Sequence, residues 1–394
     1  MASMTCKGFR AGGVAAGIKK NGNLDLGLLV SDRPARVAAV FTTNRVQAAP
    51  VLLDRERVKS GTARAIIANA GNANCANGPQ GMQAAVATTA AVAKAQSIPD
   101  DQVLAASTGV IGVPFPTEKA VAAIPDLVAG LEEDGIDFLA RAIMTTDTRP
   151  KAGAREVRVD GKSCRIVAVV KGAGMIRPDM ATMLCFACTD AEISGQDLQA
   201  ALKRAVDISF NRITIDGDTS TNDTAVLMAN GASGVFIQSE DALTAFQQQL
   251  DDLFMDLARQ MVADGEGVTK VVDLTVRGAR SHDDAWRMVD TIAHSPLVKT
   301  AFFGEDANWG RIIAAAGRAG VDLDPDRLDL YFDDVQMVEG GTGCGVAAEE
   351  KATAVLKKAA FAVVLDLNLG DGMASMLTCD FSLDYVKINA DYRS

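Results

Sequence analysis

The chain has 394 residues, 48% of them hydrophobic, enough for a large core and more than one structural unit. Its net charge of −11, from 50 acidic and 39 basic residues, repels phosphate backbones and anionic lipid surfaces, which argues against nucleic acid and membranes as partners. Two histidines, His282 and His294, are too few for a zinc centre built on several imidazoles, and a Ser–His–Asp relay would have to use one of them. Seven scattered cysteines do not read as a disulfide framework. With no apolar N-terminal segment and no run of about 20 apolar residues, the expected location is cytoplasmic.

In chain order, LGLLV (26–30), VAAVFT (37–42) and ARAIIANA (63–70) are apolar runs of strand length. MQAAVATTAAVAKAQ (82–96) has no breaker and predicts a helix. STGVIGVPFP (107–116) reads as a loop, with helices over parts of 117–131 and 137–144. Between 154 and 174 two β-rich runs flank Asp160-Gly161, a pair suited to a type I′ hairpin turn. MLCFACT (183–189) is a further strand, which makes the C-x-x-C of Cys185 and Cys188 a pair of buried thiols rather than half of a metal site.

Ser194, with Asp197 three residues on, predicts an N-cap and a helix to about Asp207. Strands follow at 224–230 and 270–278, with a long helical period between Ser239 and Ala263. Residues 284–304 read as helical despite Pro296, and 361–370 and 378–392 as strands. A glycine-rich turn at 341–345 precedes a helix but lacks the Lys-Ser/Thr pair of a P-loop. DGDTSTNDT (216–224) fails as a calcium loop because Thr221 stands where glycine is needed.

Taken alone, KGAGMIRPDMATML (171–184) is a glycine-rich turn between two strands. It does not stand alone, however. GFRAGGVAAGIK (8–19), FTTNRVQAAPV (41–51), NAGNANCANG (69–78), STGVIG (107–112) and IMTTDT (143–148) precede it. DGDTSTNDT (216–224), DGEGVTK (264–270), HSPLVKTAFFGEDANWGRI (294–312) and DYVKINADYRS (384–394) follow. In this order, over essentially the whole chain, these motifs resemble the ornithine acetyltransferase (glutamate N-acetyltransferase) family of arginine biosynthesis.

The resemblance implies an α/β fold with αββα-like layering. It also implies self-cleavage of the Ala181–Thr182 bond into an α chain (1–181) and a β chain (182–394), paired as a heterotetramer. Thr182 would then be an N-terminal nucleophile, and Thr108 and Gly109 the oxyanion hole. Thr145, Thr146, Lys171, Thr182, Glu266, Asn389 and Ser394 would contact substrate, although relatives tend to end in Thr where this chain has Ser394. The implied reaction moves an acetyl group from N-acetyl-ornithine to glutamate by a ping-pong route, with no metal and no organic cofactor. Acetyl-CoA as a second donor is left open. A self-cleaving amidase or β-aminopeptidase, with water as acceptor, is the alternative within the same chemistry. A non-catalytic amino-acid-binding protein is the alternative outside it.

Overall fold

The computed structural model describes residues 4–177 and 183–391. The chain forms two compact units, one of Met1–Asn211 with Asp218–Met261 and one of Arg212–Gly217 with Val262–Arg393. The Ala181–Thr182 bond lies outside the described residues and within the sequence range of the first unit, so the expected division of the chain is not the division of the fold.

In the first unit the order is β1 (Phe9–Val14), β2 (Leu26–Phe41), α1 (Ala49–Arg57), β3 (Thr62–Asn72), α2 (Gly78–Gln96), β4 (Val103–Val110), α3 (Thr117–Ala129) and α4 (Ile136–Ala142). It continues with β5 (Lys151–Val159), β6 (Lys162–Lys171), β7 (Leu184–Thr189), β8 (Glu192–Ile193), α5 (Gly195–Ile208), β9 (Thr224–Ala229), β10 (Phe236–Ile237) and α6 (Glu240–Ala263). The main sheet runs β4-β3-β2-β9-β7-β6-β5, with β1 also on β2.

The two apolar runs at 26–30 and 37–42 are one 16-residue strand, β2. Its first part pairs with β3 up to Val30, the register breaks before Ala35, and its last part pairs with β9. The sheet doubles back at this break. A single apolar cluster takes Leu29, Ile66 and Leu104 from one half and Val169, Phe186 and Val226 from the other, so the halves face each other. On the outer face of the first half, Leu28, Ile67 and Val103 pack under Val92 of α2 and Ile124 of α3. Beyond the second half, Gln199 of α5 bonds both the N–H and the C=O of Ala39, and Leu253 of α6 lies against Gly153 of β5. The order helix, sheet, sheet, helix is the expected αββα layering.

Burial on both faces explains the unbroken apolar runs of the second half, where every residue of β7 and β9 is buried. The β5–β6 hairpin turns on Asp160 and Gly161 at φ 49° and 77°, the left-handed pair that a type I′ turn requires. Ser194 caps α5 by accepting the Asp197 amide at 3.1 Å.

The second unit contains β11 (Val271–Ala279), α7 (His282–Ala293), α8 (Pro296–Phe303), α9 (Trp309–Gly317), β12 (Asp329–Phe332), β13 (Val335–Glu339), β14 (Thr342–Gly343), α10 (Val346–Leu356), β15 (Ala360–Asp366), β16 (Gly372–Cys379) and α11 (Leu383–Asp391). Its sheet runs β14-β13-β12-β15-β11-β16. Pro296 opens α8 at a position where its missing N–H costs nothing. The stripe Ala285, Met288, Val289 and Ile292 of α7 packs on Val272, Leu274 and Val276 of β11.

Two expectations fail. STGV is the end of strand β4 rather than a loop, because β3 supplies a parallel partner as far as Val110. Residues 378–392 are not one strand: β16 stops at Cys379 and α11 begins at Leu383. The Ser382 hydroxyl accepts the Tyr385 amide at 3.3 Å, an N-cap that the period-two reading overlooked. No residue of α11 is buried, and its helically spaced Leu383 and Val386 stay exposed.

Phe254 of α6 is fully buried, its ring centroid 5.1 Å from that of Phe210. Phe254→Ala is expected to cost about 3–5 kcal/mol. A urea titration followed by far-UV circular dichroism, with a midpoint shifted down accordingly, checks this.

Candidate active site

Lys171 is the last residue of β6, and Leu184 is the first of its sheet neighbour β7. The KGAGMIRPDMATML segment therefore leaves and re-enters one sheet at adjacent strands. The same end of the fold receives the C-terminal end of β4, with Thr108 and Gly109, and the turn after α4, with Thr145 to Asp147.

Lys171 is 3% exposed, and its ammonium donates to the hydroxyls of Thr145 at 2.8 Å and Thr108 at 3.2 Å. Three of the expected site residues, from three separate segments, thus meet at one nitrogen. Because Thr108 Oγ1 accepts from Lys171, its own proton remains available to a group outside the pair. Thr146 makes no such contact with Lys171, so the bond falls to Thr145. Gly109 has φ 128°, and a Cβ there would lie 2.4 Å from the Gly71 carbonyl carbon and 2.6 Å from Asn72 N. Only glycine lets β4 approach β3 this closely.

Asp147 lies beneath Lys171. Its Oδ1 accepts from Lys151 Nζ at 2.6 Å and from the Gly172 amide at 2.9 Å, and its Oδ2 from the Thr145 amide at 3.0 Å. The side chains of Asp147 and Lys151 are wholly buried. Burial alone would raise the carboxyl's pKa, but the charges of Lys171 and Lys151 outweigh it and hold Asp147 well below the usual carboxylate range. Asp147 thereby fixes the turn that carries Thr145 and the backbone just after Lys171.

Immediately before β7, the Met183 amide donates to Asp223 Oδ1 at 2.8 Å. Asp223 is fully buried, and burial pushes its carboxyl well above the ordinary range, against the pull of the Met183 amide and the Lys171 charge.

In the second unit, Asn389 of α11 donates to Glu266 Oε2 at 2.7 Å, which joins two more expected site residues. Ala181, Thr182 and Ser394 lie outside the described residues. Among the described residues no group of three or more His, Cys, Asp or Glu side chains is placed to hold a metal ion. No helix among them is long and apolar enough to cross a membrane.

The ArgJ family model matches residues 10–394 of the sequence. The chain belongs to the ArgJ family. It is 54% identical to the arginine biosynthesis bifunctional protein ArgJ of Geobacter sulfurreducens, over 99% of this chain and 100% of that protein. It is 49% identical to the protein of the same name from Desulfotalea psychrophila, again over 99% and 100%. Among solved structures, the arginine biosynthesis bifunctional protein of Bacillus halodurans aligns with a TM-score of 0.50 at 39% identity, over 52% of this chain and 98% of that one.

Asp147, Lys151 and Asp223 escape a reading by resemblance, although Asp147 sits in IMTTDT and Asp223 in DGDTSTNDT. The available signal is a carboxylate inside a motif otherwise made of hydroxyl and apolar residues, a pattern that surface loops share. Cys185 and Cys188 are buried free thiols, and burial raises the Cys185 pKa, as inert core cysteines require.

Asp147→Asn removes the carboxylate charge that the buried Lys151 ammonium bonds and that also faces Lys171, and the expected cost near neutral pH is about 3–5 kcal/mol. The stability that goes with a depressed folded-state pKa is fully present above the unfolded carboxyl value of about 3.9 and is lost progressively as pH falls from there through the much lower folded value. Urea titrations of wild type and variant should therefore differ at pH 7, and the difference should begin to narrow only below about pH 4 and keep narrowing as pH falls further.

Proposed function

We propose that this ArgJ-family acetyltransferase moves the acetyl group of N-acetyl-ornithine to glutamate through an ester on Thr182. The observation that carries this reading is the convergence of Thr108, Thr145 and Lys171 on one buried ammonium, at the strand ends that flank the Ala181–Thr182 bond in sequence. In the first step the chain cuts itself at Ala181–Thr182, which gives an α chain (1–181) and a β chain (182–394). The solved ArgJ chain, matched along 98% of its length by 52% of this one, is about half as long, which supports such a division.

Cleavage frees the α-amine of Thr182, whose ordinary pKa of about 7.7–8.0 suits a general base near neutral pH. The amine, directly or through a water, takes the Oγ proton as Oγ attacks the acetyl carbonyl of N-acetyl-ornithine. The C–N bond then breaks, the proton passes to the leaving nitrogen, and ornithine departs. Glutamate's amine next attacks the acetyl-Thr182 ester, N-acetyl-glutamate forms, and the threonine hydroxyl is restored. The relay uses no histidine, in keeping with the composition.

The Thr108 hydroxyl and the Gly109 N–H stabilise the negative oxygen of both tetrahedral intermediates. Lys171, donating to Thr108 Oγ1, turns that hydroxyl's proton outward and adds positive potential, and its charge also suits a substrate carboxylate. Thr145 and Thr146 border the pocket. Glu266, held by Asn389, is matched to a substrate ammonium group, with Asn389 and Ser394 completing the contacts. Acetyl-CoA serves as an alternative donor in the bifunctional form of the reaction. The α and β chains assemble as a heterotetramer in the cytoplasm.

Incubation with acetyl-labelled N-acetyl-ornithine and glutamate, followed by mass spectrometry, tests the reading. Label should appear in N-acetyl-glutamate, whereas release as acetate without transfer would favour the amidase alternative. Acetyl-CoA and glutamate alone test the second donor. Thr182→Ala is expected to remain one chain and to transfer nothing, while Thr182→Ser still cleaves. Thr108→Ala should lower kcat by about 10²–10³ with little change in KM, measured on the processed protein.

A further inference from the structure

We propose that Asn222 and Asp223 form a positioning pair that sets the nucleophile's strand against the strand of the oxyanion hole, for both self-cleavage and acetyl transfer. This rests on the reading of Thr182 and Thr108 given above. The two residues point their side chains at different strands. Asn222 Nδ2 donates to the Ser107 carbonyl at 2.8 Å and to the Ala73 carbonyl at 2.7 Å. Ser107 immediately precedes Thr108, and its hydroxyl is fixed in turn on Asn69 Oδ1 at 2.6 Å. Asp223 Oδ1 accepts the Met183 amide at 2.8 Å, and that nitrogen is bonded to the carbonyl carbon of Thr182. One dipeptide therefore holds the neighbours of both reacting elements, and β9, which begins at Thr224, lies in the sheet beside β2 and β7.

Rigid placement follows from burial. Asn222 is 5% exposed and Asp223 is not exposed at all. The backbone on either side is fixed as well, because the Asn222 amide donates to Ser220 Oγ at 3.1 Å and the Thr224 amide to the Met183 carbonyl at 3.1 Å.

Asp223 is more than a strand anchor of the ordinary kind. Among the described residues its Oδ2 is buried without a hydrogen-bond partner, and the nearby Thr42 hydroxyl gives its proton to the Ser220 carbonyl at 2.7 Å. A neutral amide would satisfy a strand end with less desolvation than a lone carboxylate does. A buried carboxyl keeps an acceptor oxygen on the Met183 amide, the first described group after Thr182 in the chain.

The test uses the full chain and three variants, Asp223→Asn, Asn222→Ala and Thr182→Ala. Circular dichroism and melting temperature check folding, intact mass follows self-cleavage over time, and kcat and KM are measured separately on processed protein. Asp223→Asn keeps the shape and one acceptor oxygen, so it is the variant that folds if Asn222→Ala does not. The expected result is a folded Asp223→Asn protein whose self-cleavage is slowed, with kcat down about ten- to a hundredfold and KM within twofold of wild type, the loss a small misplacement produces. Folded Asp223→Asn with wild-type cleavage and wild-type kcat would overturn the proposal while wild type still cleaves and Thr182→Ala does not. A wild type that never cleaves would instead remove the reading on which the proposal rests.

Discussion

Everything around the candidate site depends on one buried triad of charge, Lys151, Asp147 and Lys171. Two buried ammonium groups, with exposures of 0% and 3%, face the Asp147 carboxylate, which bonds Lys151 and is itself tied to two backbone amides. Each cation alone would face a desolvation cost of several kcal/mol. The Lys171 ammonium touches the hydroxyls of Thr108 and Thr145. The Asp147 carboxylate clamps the turn after α4 to the backbone that follows β6. Charge and geometry at the site are therefore one device: the carboxylate whose charge faces Lys171 also fixes the backbone beside it.

The scaffold explains how such a cluster is tolerated. The doubled sheet buries both faces of β7, the strand that follows the KGAGMIRPDMATML segment, and of its neighbour β9, so both have little freedom to shift. In the proposed mechanism a threonine with its own amine does what a histidine does elsewhere, and these strands supply a rigid frame beside it. In the second unit, Glu266 and Asn389 form a second polar pair, joined by a hydrogen bond between a loop and α11.

Much of the fold is legible in the sequence wherever a local rule has one outcome. Asp160-Gly161 can turn a hairpin only with both residues left-handed, and Ser194 with Asp197 caps one helix start. Legibility ends where a partner decides. STGV becomes strand because β3 lies beside it. The tail from Leu383 becomes helix through a serine cap, with no buried stripe to announce it. The two apolar runs of β2 read as separate strands because Ser31-Asp32-Arg33-Pro34 lies between them, and only the partners β3 and β9 make them one strand that breaks there. At the site, the resemblance picks out hydroxyl and ammonium groups expected to act on substrate, and the structure joins Lys171 to Thr108 and Thr145. Asp147, Lys151 and Asp223 were passed over because a supporting carboxylate has no signature in one sequence: its role exists only in which amides and cations the fold brings to it.

The central claim is that Thr182 becomes the first residue of a second chain, and the intact mass of freshly purified protein under denaturing conditions tests it most directly. The account predicts two species, of 181 and 213 residues, the second beginning at Thr182. A single species of 394 residues, persisting on incubation, would contradict it, because the amine that serves as base would never form.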